Sequence, residues 1–488
     1  HRAGLYVFGQ NRHRDAYDHD GDGYSEMPKL KNQTVGFRSF LKTSTYSKLT
    51  FEYHHLQEFR RGGNMLNRPP HEADIAEQIQ HSINGGGLKF DYFAPNEKHR
   101  LTLYTSAQHT DRDSYYGSKK DLNAYGKTTD LTFIGGSQYV YSFDKCLFMP
   151  ADLTAGLEYN RDNLKDDMWG YNRYTRQTVN IGSAFFQNEW KNEKWSILLG
   201  GRLDKHNLIN HVIFSPRANL RFNPTQDVNL RLSYSSGFRA PQAFDEDLHI
   251  ENVGGTVSMI ERAKNLKEEK SQSFSASADM YHRFGAFQVN FLVEGFYTKL
   301  SDVFVLENIG VRDGILIKER RNGSGAKVLG LSMEGKMAYL SLFQLQAGVT
   351  LQQSRYDEPE KWSETAPAQK KIFRTPNTYG YFTATYTPVK PLSVSLSGTY
   401  TGSMLVQHMA GYIKNDIAVN TRDFFDMGVK LAYDFKLYKT IDLQLSAGVQ
   451  NVFNAYQNDF DQGVERDSGY IYGPAAPRSY FAGVKISY

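Results

Sequence analysis

The chain has 488 residues, 23% of them charged and 14% aromatic, and its formal net charge is only +4. Its mean hydropathy is −0.56. With no apolar stretch near the roughly 18 residues that a membrane helix needs, this value excludes a helical membrane protein. The small charge excludes the basic surface of a nucleic-acid-binding protein, and the single cysteine, Cys146, excludes a disulfide framework and multi-cysteine metal sites. A soluble protein or a β-barrel remains.

In chain order, the predicted elements are almost all β-strands. Apolar and polar residues alternate from the N-terminal run at residues 5–8 to the C-terminus, most regularly in residues 100–105, 228–234 and 441–449. This period of two places alternate side chains on opposite faces of a strand. The runs last about 10 residues or more, against a usual strand length of roughly 5 to 6. Helical periodicity is scarce, and residues 72–79 are the best candidate helix.

About 20 strands are predicted, joined alternately by nine short turns and ten longer polar loops. The loops are predicted at residues 13–29, 60–78, 109–127, 160–178, 203–212, 236–270, 300–325, 352–376, 401–420 and 450–476. Because strands joined in this way run antiparallel, all short turns lie at one end and all long loops at the other. This asymmetry is typical of a transmembrane β-barrel with short periplasmic turns and long extracellular loops, whose closed sheet satisfies the backbone within the membrane. A soluble propeller or sandwich is the alternative, although those folds favour strands of ordinary length.

Several segments, in order along the chain, resemble the motifs of one receptor family. Residues 480–488 alternate up to a terminal aromatic residue, which resembles the assembly signal of outer-membrane barrels. The other segments, SYSSGFRAP, NLKEEKS, GLSMEG, QNVFN and GPAAPR, occupy residues 233–241, 265–271, 330–335, 450–454 and 473–478. Together they resemble the motifs of TonB-dependent outer-membrane receptors, although Glu268 stands where the family has proline.

The resemblance implies a fold, a location and partners. Receptors of this family close at 22 strands around an N-terminal plug, as barrels of that size do. Residues 1–488 are therefore expected to form one barrel domain that starts at the third strand, without the plug, the TonB box and the first two strands. The expected location is the outer membrane of a Gram-negative bacterium. The expected partners are TonB, outer-membrane lipid and lipopolysaccharide, with a surface lipoprotein as a further one, and nucleic acid is not expected.

The function that the resemblance implies is TonB-energised import of a scarce metal chelate, either a ferric siderophore or haem. A cobalamin receptor, a passive porin and a soluble secreted β-protein such as an adhesin stay open as alternatives. We do not expect an enzyme, because the sequence has no P-loop, no G-x-S-x-G and no H-E-x-x-H motif. We also expect no required cofactor, apart from Ca²⁺ as a candidate ion in the first long loop.

That first loop is acidic at alternate positions. Asp18, Asp20 and Asp22 match the opening of a calcium-binding loop, in which alternate residues turn oxygen ligands toward one ion. The twelfth position of such a loop is Lys29 here, so Glu26 would have to replace the usual bidentate glutamate. A solvated acidic loop is the alternative. The resemblance to cobalamin receptors of the family implies that calcium would order this loop for ligand capture.

Two residues next to the GFRAP motif are candidate ligand contacts. His249 lies between the two motifs where haem receptors of the family have an axial histidine, and a neutral imidazole suits haem or a transition metal. The acidic neighbours of His249 would also suit a bare cation. Arg239 is expected to face the lumen or the plug, where its guanidinium can clamp a carboxylate.

A second candidate contact region is the loop that contains Met404, His408 and Tyr412, a soft and polarizable surface at the mouth of the barrel. Packing at the rim is the alternative. The pairs Arg60-Arg61 and Arg320-Arg321 lie near predicted strand ends, where they could attract anionic chelates or lipopolysaccharide phosphates. Solvated strand ends explain these arginines equally well.

Overall fold

The computed structural model describes residues 2–248, 251–253, 256–438 and 440–488. Within these residues the chain forms 27 strands and four single-turn 3-10 helices. The strands are β1 (Ala3–Arg14), β2 (Ser25–Ser44), β3 (Ser47–Gly63), β4 (Ile75–Phe93), β5 (His99–Ser118), β6 (Tyr125–Cys146), β7 (Met149–Met168), β8 (Arg173–Lys191), β9 (Trp195–His206), β10 (Ile213–Thr225), β11 (Val228–Arg239), β12 (Glu251–Val253), β13 (Thr256–Arg262), β14 (Glu269–Phe284), β15 (Phe287–Ser301), β16 (Phe304–Arg312), β17 (Ile315–Asn322), β18 (Ala326–Tyr339), β19 (Phe343–Glu360), β20 (Gln369–Lys371), β21 (Thr378–Val389), β22 (Leu392–Thr401), β23 (Leu405–His408), β24 (Ile417–Asn420), β25 (Phe424–Tyr438), β26 (Ile441–Gln450) and β27 (Ser479–Ser487). The 3-10 helices are η1 (Pro70–Glu72), η2 (Leu122–Ala124), η3 (Trp169–Tyr171) and η4 (Asp245–Leu248). Among the described residues, no helix is long and apolar enough to cross a bilayer.

One large antiparallel sheet of 21 strands dominates the structure. One of the 21 is the three-residue β20, which pairs with the loop-side end of β19, so 20 long strands remain. Each long strand pairs with the next long strand along the chain, from β1 at one edge of the described sheet to β27 at the other. The predicted all-β architecture of about 20 antiparallel strands is confirmed.

The connections alternate as the sequence predicts. Nine turns of two to five residues separate the strand pairs at one end, and ten connections of four to 29 residues lie at the other. Several predicted loops are nevertheless shorter than expected. Residues 160–178, for example, contain the end of β7 and the start of β8, which are joined only by residues 169–172. The polar sequence at this end continues as paired strand because hydrogen bonding to a neighbouring strand does not require apolar side chains.

The predicted helix at residues 72–79 is wrong. Only η1, which begins at Pro70, is helical there, and β4 begins at Ile75. Ala76 pairs with Gly63 and Ile79 pairs with Arg60, so the backbone of this segment is engaged by β3. Tertiary pairing overrides a weak local periodicity here.

The two faces of the strands differ in polarity near the short turns, a region that we call the membrane band. On β11, Leu232 is 56% exposed on the outer face, while the next residue, Ser233, points to the opposite face and bonds to Asn219 (2.6 Å). On the same inner face of the sheet, Arg202 pairs with Glu158 (2.8 Å). The outer face is therefore apolar and the inner face polar, which is the pattern of transmembrane barrels, whose outer face contacts lipid and whose inner face lines the lumen.

The strands continue well beyond the membrane on the loop side. The longest, β6, has 22 residues, which at about 3.3 Å per residue and a tilt of about 40° rise roughly 55 Å, about twice the height of the apolar band of such barrels. Most of the buried side chains lie in these extensions and in the loops above them. We call this part the loop-side assembly, and it contains the hydrophobic core of the molecule.

Two long loops build a second, smaller sheet in the loop-side assembly. The loop at residues 240–268 contributes β12 and β13, the loop at residues 302–325 contributes β16 and β17, and β13 pairs with β17 in parallel. Met259 and Ile317 of this sheet pack against Tyr116 of β5 and its neighbours on β4 and β7. Because β5 lies many strands away from β14 and β18 in the main sheet, the small sheet reaches across the mouth of the barrel.

Four of the segments that resemble the family motifs contact one another in pairs on the loop side of the sheet. GFRAP and NLKEEKS come together because Gly237 pairs with Ser271 on adjacent strands. The QNVFN and GPAAPR segments also meet, since the side chain of Asn451 bonds to the carbonyl of Ala476 (3.1 Å). These motifs fix the geometry of the loop side and do not by themselves mark a ligand site.

Candidate ligand-binding vestibule

The acidic first loop folds tightly around its own carboxylates. One oxygen from each of Asp18, Asp20 and Asp22 lies within 4.8 Å of the others. The N–H groups of Gly21 and Gly23 donate to Asp18 (2.7 and 2.8 Å), and both glycines have positive φ values of 76° and 89°, which glycine adopts without steric strain. The sequence therefore brings three of the four predicted calcium ligands into one cluster.

The fourth predicted ligand has a different partner. Glu26 is buried and accepts a hydrogen bond from Arg466 of the last long loop (3.2 Å), and Arg466 also pairs with Asp22. The guanidinium lies over the ring of Tyr24 at 4.6 Å. An arginine from the far end of the chain thus neutralises two of the four carboxylates and clasps the first loop to the last. Calcium binding in the first loop stays a prediction.

The loop at residues 402–423 places two of its three candidate contacts inside the assembly. His408 is 7% exposed, its Nε2 lies 2.8 Å from Asp461, and its ring stacks on Tyr470 with centroids 3.7 Å apart. Met404 is also buried and packs against Tyr470. Tyr412 is 52% exposed. His408 and Met404 therefore hold this loop against the last long loop, and the ligand-contact role of all three residues stays a prediction.

The last long loop carries a group of buried acidic and phenolic side chains. Burial raises the pKa of Asp467, although its carboxylate accepts a hydrogen bond from the N–H of Met409 (2.9 Å). Burial also raises the pKa of Tyr470 and of Tyr472, whose hydroxyls both donate to Asp459 (2.9 and 2.6 Å). The phenols therefore stay neutral donors at physiological pH.

Arg239 lies at the top of β11, beneath the acidic helix η4. Its guanidinium stacks on Phe244 at 3.7 Å and approaches the carboxylate of Glu246 at 3.5 Å. This carboxylate contact lies within the chain, and the roles of Arg239 as a ligand contact and as a lumen or plug contact stay predictions. The other candidate near this motif, His249, lies outside the described residues.

Of the two arginine pairs, Arg61 and Arg320 are buried. Arg61 donates to backbone carbonyls of its own hairpin, and Arg320 pairs with Asp247. Solvated strand ends therefore do not describe these two residues.

The loop-side assembly contains a cavity of about 620 Å³. None of the sequence motifs predicts this cavity. We call it the vestibule cavity. It lies among the loop-side ends of β4, β5 and β19, the small sheet and the three loops that follow β19, β22 and β26. Aromatic rings line it from four of these elements, namely Tyr116, Phe304, Tyr356, Trp362 and Phe373. The charged part of the lining consists of three basic side chains, Lys318, Lys361 and Arg374, and three acidic ones, Glu77, Glu360 and Asp467.

The wall of the vestibule cavity is ordered by contacts between its own rings and by hydrogen bonds to neighbouring backbone carbonyls. Trp362 packs edge-on against Phe373 with centroids 5.2 Å apart and donates its indole N–H to the carbonyl of Pro367 (3.1 Å). Arg374 donates to the carbonyl of Ile471 (2.9 Å). Its volume lies within the roughly 300–1,000 Å³ of small-molecule sites, and aromatic lining with a few polar groups is typical of them.

A family model described as TonB-dependent receptor-like β-barrel matches residues 5–452. The chain belongs to the TonB-dependent receptors. Members of this family are transport receptors in the outer membrane of Gram-negative bacteria and interact with TonB, and they are not enzymes. Among curated proteins, none matches this sequence.

Solved structures with the same fold include siderophore receptors that have low sequence identity to this receptor. The siderophore receptor PirA from Acinetobacter baumannii superposes with a TM-score of 0.77 at 15% identity, covering 99% of this chain and 75% of that one. A mutant of the ferric enterobactin receptor PfeA from Pseudomonas aeruginosa gives 0.76 at 14% identity, covering 100% and 75%. The ferric-catecholate import receptor Fiu from E. coli K12 gives 0.70 at 12% identity, covering 100% and 78%. At sequence identities this low, the structural similarity establishes that the chain has the same fold as these receptors.

Sequence reasoning missed the residues that organise the vestibule of this TonB-dependent receptor. Arg466 and Asp461 bind partners in other loops, and Trp362 and Phe373 are separated by a polar, proline-containing segment without periodicity. One signal was available: Trp362 is one of four tryptophans and lies in a predicted extracellular loop. A large aromatic residue in a polar loop is costly to leave in water and indicates either packing or binding.

Proposed function

We propose that this receptor imports a ferric siderophore and that the vestibule cavity is where the chelate is first captured. The observation that carries the proposal is the lining of five aromatic side chains at the extracellular mouth of a receptor barrel. Aromatic rings bind flat ligand groups by offset or edge-to-face stacking. The similar solved structures include ferric enterobactin and ferric-catecholate receptors, which supports the same class of ligand.

Three basic side chains provide hydrogen-bond donors for an anionic chelate, beside three acidic ones, and Lys361 is also paired with Glu364 (2.7 Å). Lys318 approaches the cavity from the small sheet, and Lys361 and Arg374 approach it from the loop that follows β19. Among the acidic residues, burial raises the pKa of Asp467, and Glu360 accepts hydrogen bonds from the backbone and hydroxyl of Ser324 (both 3.1 Å). Basic side chains at the rim of a cleft attract an anionic ligand and increase its rate of association. An iron chelate with aromatic, negatively charged groups fits both features.

Cobalamin is the second candidate function, and one specific observation favours it. The converging carboxylates of Asp18, Asp20 and Asp22 are the arrangement expected if calcium orders the first loop. Haem stays an alternative through His249. Family membership favours a receptor over a passive porin or a secreted adhesin. We further propose that the receptor works in the outer membrane and that TonB energises its transport step, through a plug and a TonB box that belong to the same polypeptide.

The experiment compares ligands on the full-length receptor in outer-membrane vesicles. Ferric enterobactin, a ferric hydroxamate, haemin and cyanocobalamin are titrated against the tryptophan fluorescence of the receptor, the last one with and without calcium. We expect ferric enterobactin to bind at least roughly tenfold more tightly than the others, a difference of about 1.4 kcal/mol. Uptake of the bound chelate is expected to stop in cells that lack TonB, whereas binding stays unchanged. Tightest binding of haemin or cyanocobalamin would contradict the proposal.

A further inference from the structure

The acidic segment after the GFRAP motif lies in a cluster of arginines. The acidic segment is η4, which carries Asp245, Glu246 and Asp247. The arginine cluster consists of Arg112 on β5, Arg173 on β8, Arg239 on β11 and Arg320 on β17. Four side chains of the same charge from four separate strands therefore meet one turn of helix.

The acidic segment and the arginine cluster contact each other directly. Arg112 Nη1 lies 2.8 Å from Asp245 Oδ1, and Arg320 contacts both Glu246 Oε1 (2.9 Å) and Asp247 Oδ1 (Nε, 3.1 Å). Arg173 donates to the backbone carbonyl of Leu248 (3.3 Å). Guanidinium groups bind carboxylates, phosphates and other planar or oxygen-rich anions through this kind of hydrogen bonding.

The arginine cluster and the acidic segment form an ion pair that is buried more deeply than ion pairs at a protein surface usually are. The side chains of Arg320 and Asp247 are only 4% and 5% exposed, and Arg112 is also buried. Among the described residues, Nη2 of Arg112 has no hydrogen-bond partner. Its nearest carboxylate, Asp166, is 3.9 Å away. A buried guanidinium with an unused donor has capacity for a further oxygen ligand.

The charges of the cluster depend on the acidic segment. With the segment in place, four arginines face five carboxylates, of which Asp166 belongs to the barrel wall and Glu261 to the small sheet. Without the segment, the same four arginines would face Asp166 and, beside Arg173, Glu261 among the described residues, which leaves an excess of two positive charges. That excess would bind a polyanion with several oxygen atoms.

The acidic segment also fastens the small sheet over the mouth. Arg320 is part of β17, whose Ile317 packs on the far side of the barrel near Tyr116. Asp247 connects this strand to Arg173 on β8 through its side chain and its backbone carbonyl. Displacing the segment would therefore release one of the attachments of the sheet.

We propose that the acidic segment is an internal ligand that occupies a polyanion-binding site formed by the arginine cluster. An external polyanion competes with the segment for the four arginines, and its binding loosens the small sheet at the mouth. Because the two ligands are mutually exclusive, the affinity of the site for the external anion is reduced by the fraction of time the segment is bound. The relevance to siderophore capture rests on the proposed function, whereas the competition itself does not.

The competition can be tested without any siderophore or TonB. Spin labels are placed on the small sheet at Ile309→Cys and on the rim at Leu122→Cys, both exposed, in the Cys146→Ser form of the full-length receptor. Double electron–electron resonance then reports the distance between the sheet and the rim, and inorganic tripolyphosphate is the polyanion probe. We expect one distance in the wild type, and a second, longer one when tripolyphosphate is added.

Removing carboxylates from the segment should favour the external anion. Glu246 is mostly exposed, so Glu246→Gln leaves the fold intact, and the double variant with Asp247→Asn removes the buried contact as well. We expect tripolyphosphate to bind at least roughly tenfold more tightly to the double variant, and the longer distance to be populated without the anion. The control is Asp313→Asn, which removes one charge from the turn between β16 and β17 and is expected to change neither quantity.

The proposal is overturned if both variants bind tripolyphosphate no more tightly than the wild type while a single distance persists. That result would mean that the acidic segment only braces the small sheet. Weaker binding of tripolyphosphate to Glu246→Gln would overturn it as well, because a competitor cannot assist the ligand that it excludes. Failure of siderophore binding would leave these measurements unaffected.

Discussion

In the membrane band, large apolar side chains such as Val484 and Leu232 are exposed on the outer face of the sheet, whereas in the loop-side assembly Tyr115 and Met168 are 1% exposed. The solvent explains the difference. Lipid replaces the protein core in the membrane band, so a single sheet is enough there and each strand needs only its two neighbours. Above the membrane the outer face meets water, and the chain must build a core of its own from loops and strand ends. Binding specificity can therefore be altered in the loop-side assembly without changing the barrel.

The largest effect that we expect in the loop-side assembly comes from the clasp between the first and last loops. Arg466→Met leaves Asp22 and Glu26 without their counter-ion, and breaking a buried ion pair in this way costs about 3–5 kcal/mol of docking free energy. Hydrogen exchange of residues 15–24 and 451–478 should rise accordingly. The control is Arg478→Met, at an exposed arginine of the same loop.

The same variant tests the calcium prediction. With Arg466 removed, calcium is the remaining candidate counter-ion for Asp18, Asp20 and Asp22. If the loop binds calcium, millimolar Ca²⁺ should restore protection of residues 15–24 in Arg466→Met, and Asp20→Asn should abolish the rescue. Equal exchange with and without calcium would leave the loop as an acidic segment that only arginine neutralises.

In the membrane band, the strongest test compares two neighbouring residues on β11. Leu232→Arg places a charge on the lipid face and is expected to cost about 2–4 kcal/mol, while Ser233→Arg places the same charge on the lumen face at a much smaller cost. Urea unfolding with heat-modifiable migration as the readout measures both. Equal destabilisation by the two substitutions would contradict the assignment of the faces.

The smallest effect that we expect is a pH dependence of the last loop. A carboxyl whose pKa is raised by burial contributes docking stability that is fully present below its ordinary pKa and is lost as the pH rises through the raised value. Asp467 faces His408 and Asp461, and the charges of these two neighbours act on its carboxyl in opposite directions. Asp467→Asn should therefore slow proteolysis of the last loop relative to the wild type at neutral pH, and the difference should vanish below about pH 4. A difference in proteolysis that grows as the pH falls would contradict the conclusion that ionised Asp467 destabilises the docked loop.

The difference between the membrane band and the loop-side assembly also determines how much of the structure the sequence can predict. The period of two is local information, so the strand count, the alternation of turns and loops and the polarity of Leu232 and Ser233 were predicted correctly. Docking of loops depends on partners far apart in the chain: Glu26 and Arg466 are 440 residues apart. No local pattern specifies such a pair, because each residue alone is compatible with a solvated loop.

The candidate contacts illustrate the same limit. His408 reads as a soft ligand from its sequence neighbours, yet its place is fixed by Asp461, 53 residues away. The vestibule cavity could not be predicted either, since its lining comes from seven elements that meet only in the folded chain. What the sequence does provide is the composition of the loops, including Trp362.

The central claim, that the vestibule cavity captures an aromatic, anionic ferric chelate, is tested most directly by replacing one tryptophan at a time. Trp362→Ala removes a ring from the cavity, whereas Trp169→Ala removes an exposed ring from η3 in the same loop-side assembly, outside the cavity. Loss of one stacking contact of about 0.5–1.5 kcal/mol should weaken binding of ferric enterobactin by Trp362→Ala roughly two- to tenfold. Trp169→Ala should bind like the wild type. Equal affinity of both variants and the wild type would contradict the claim.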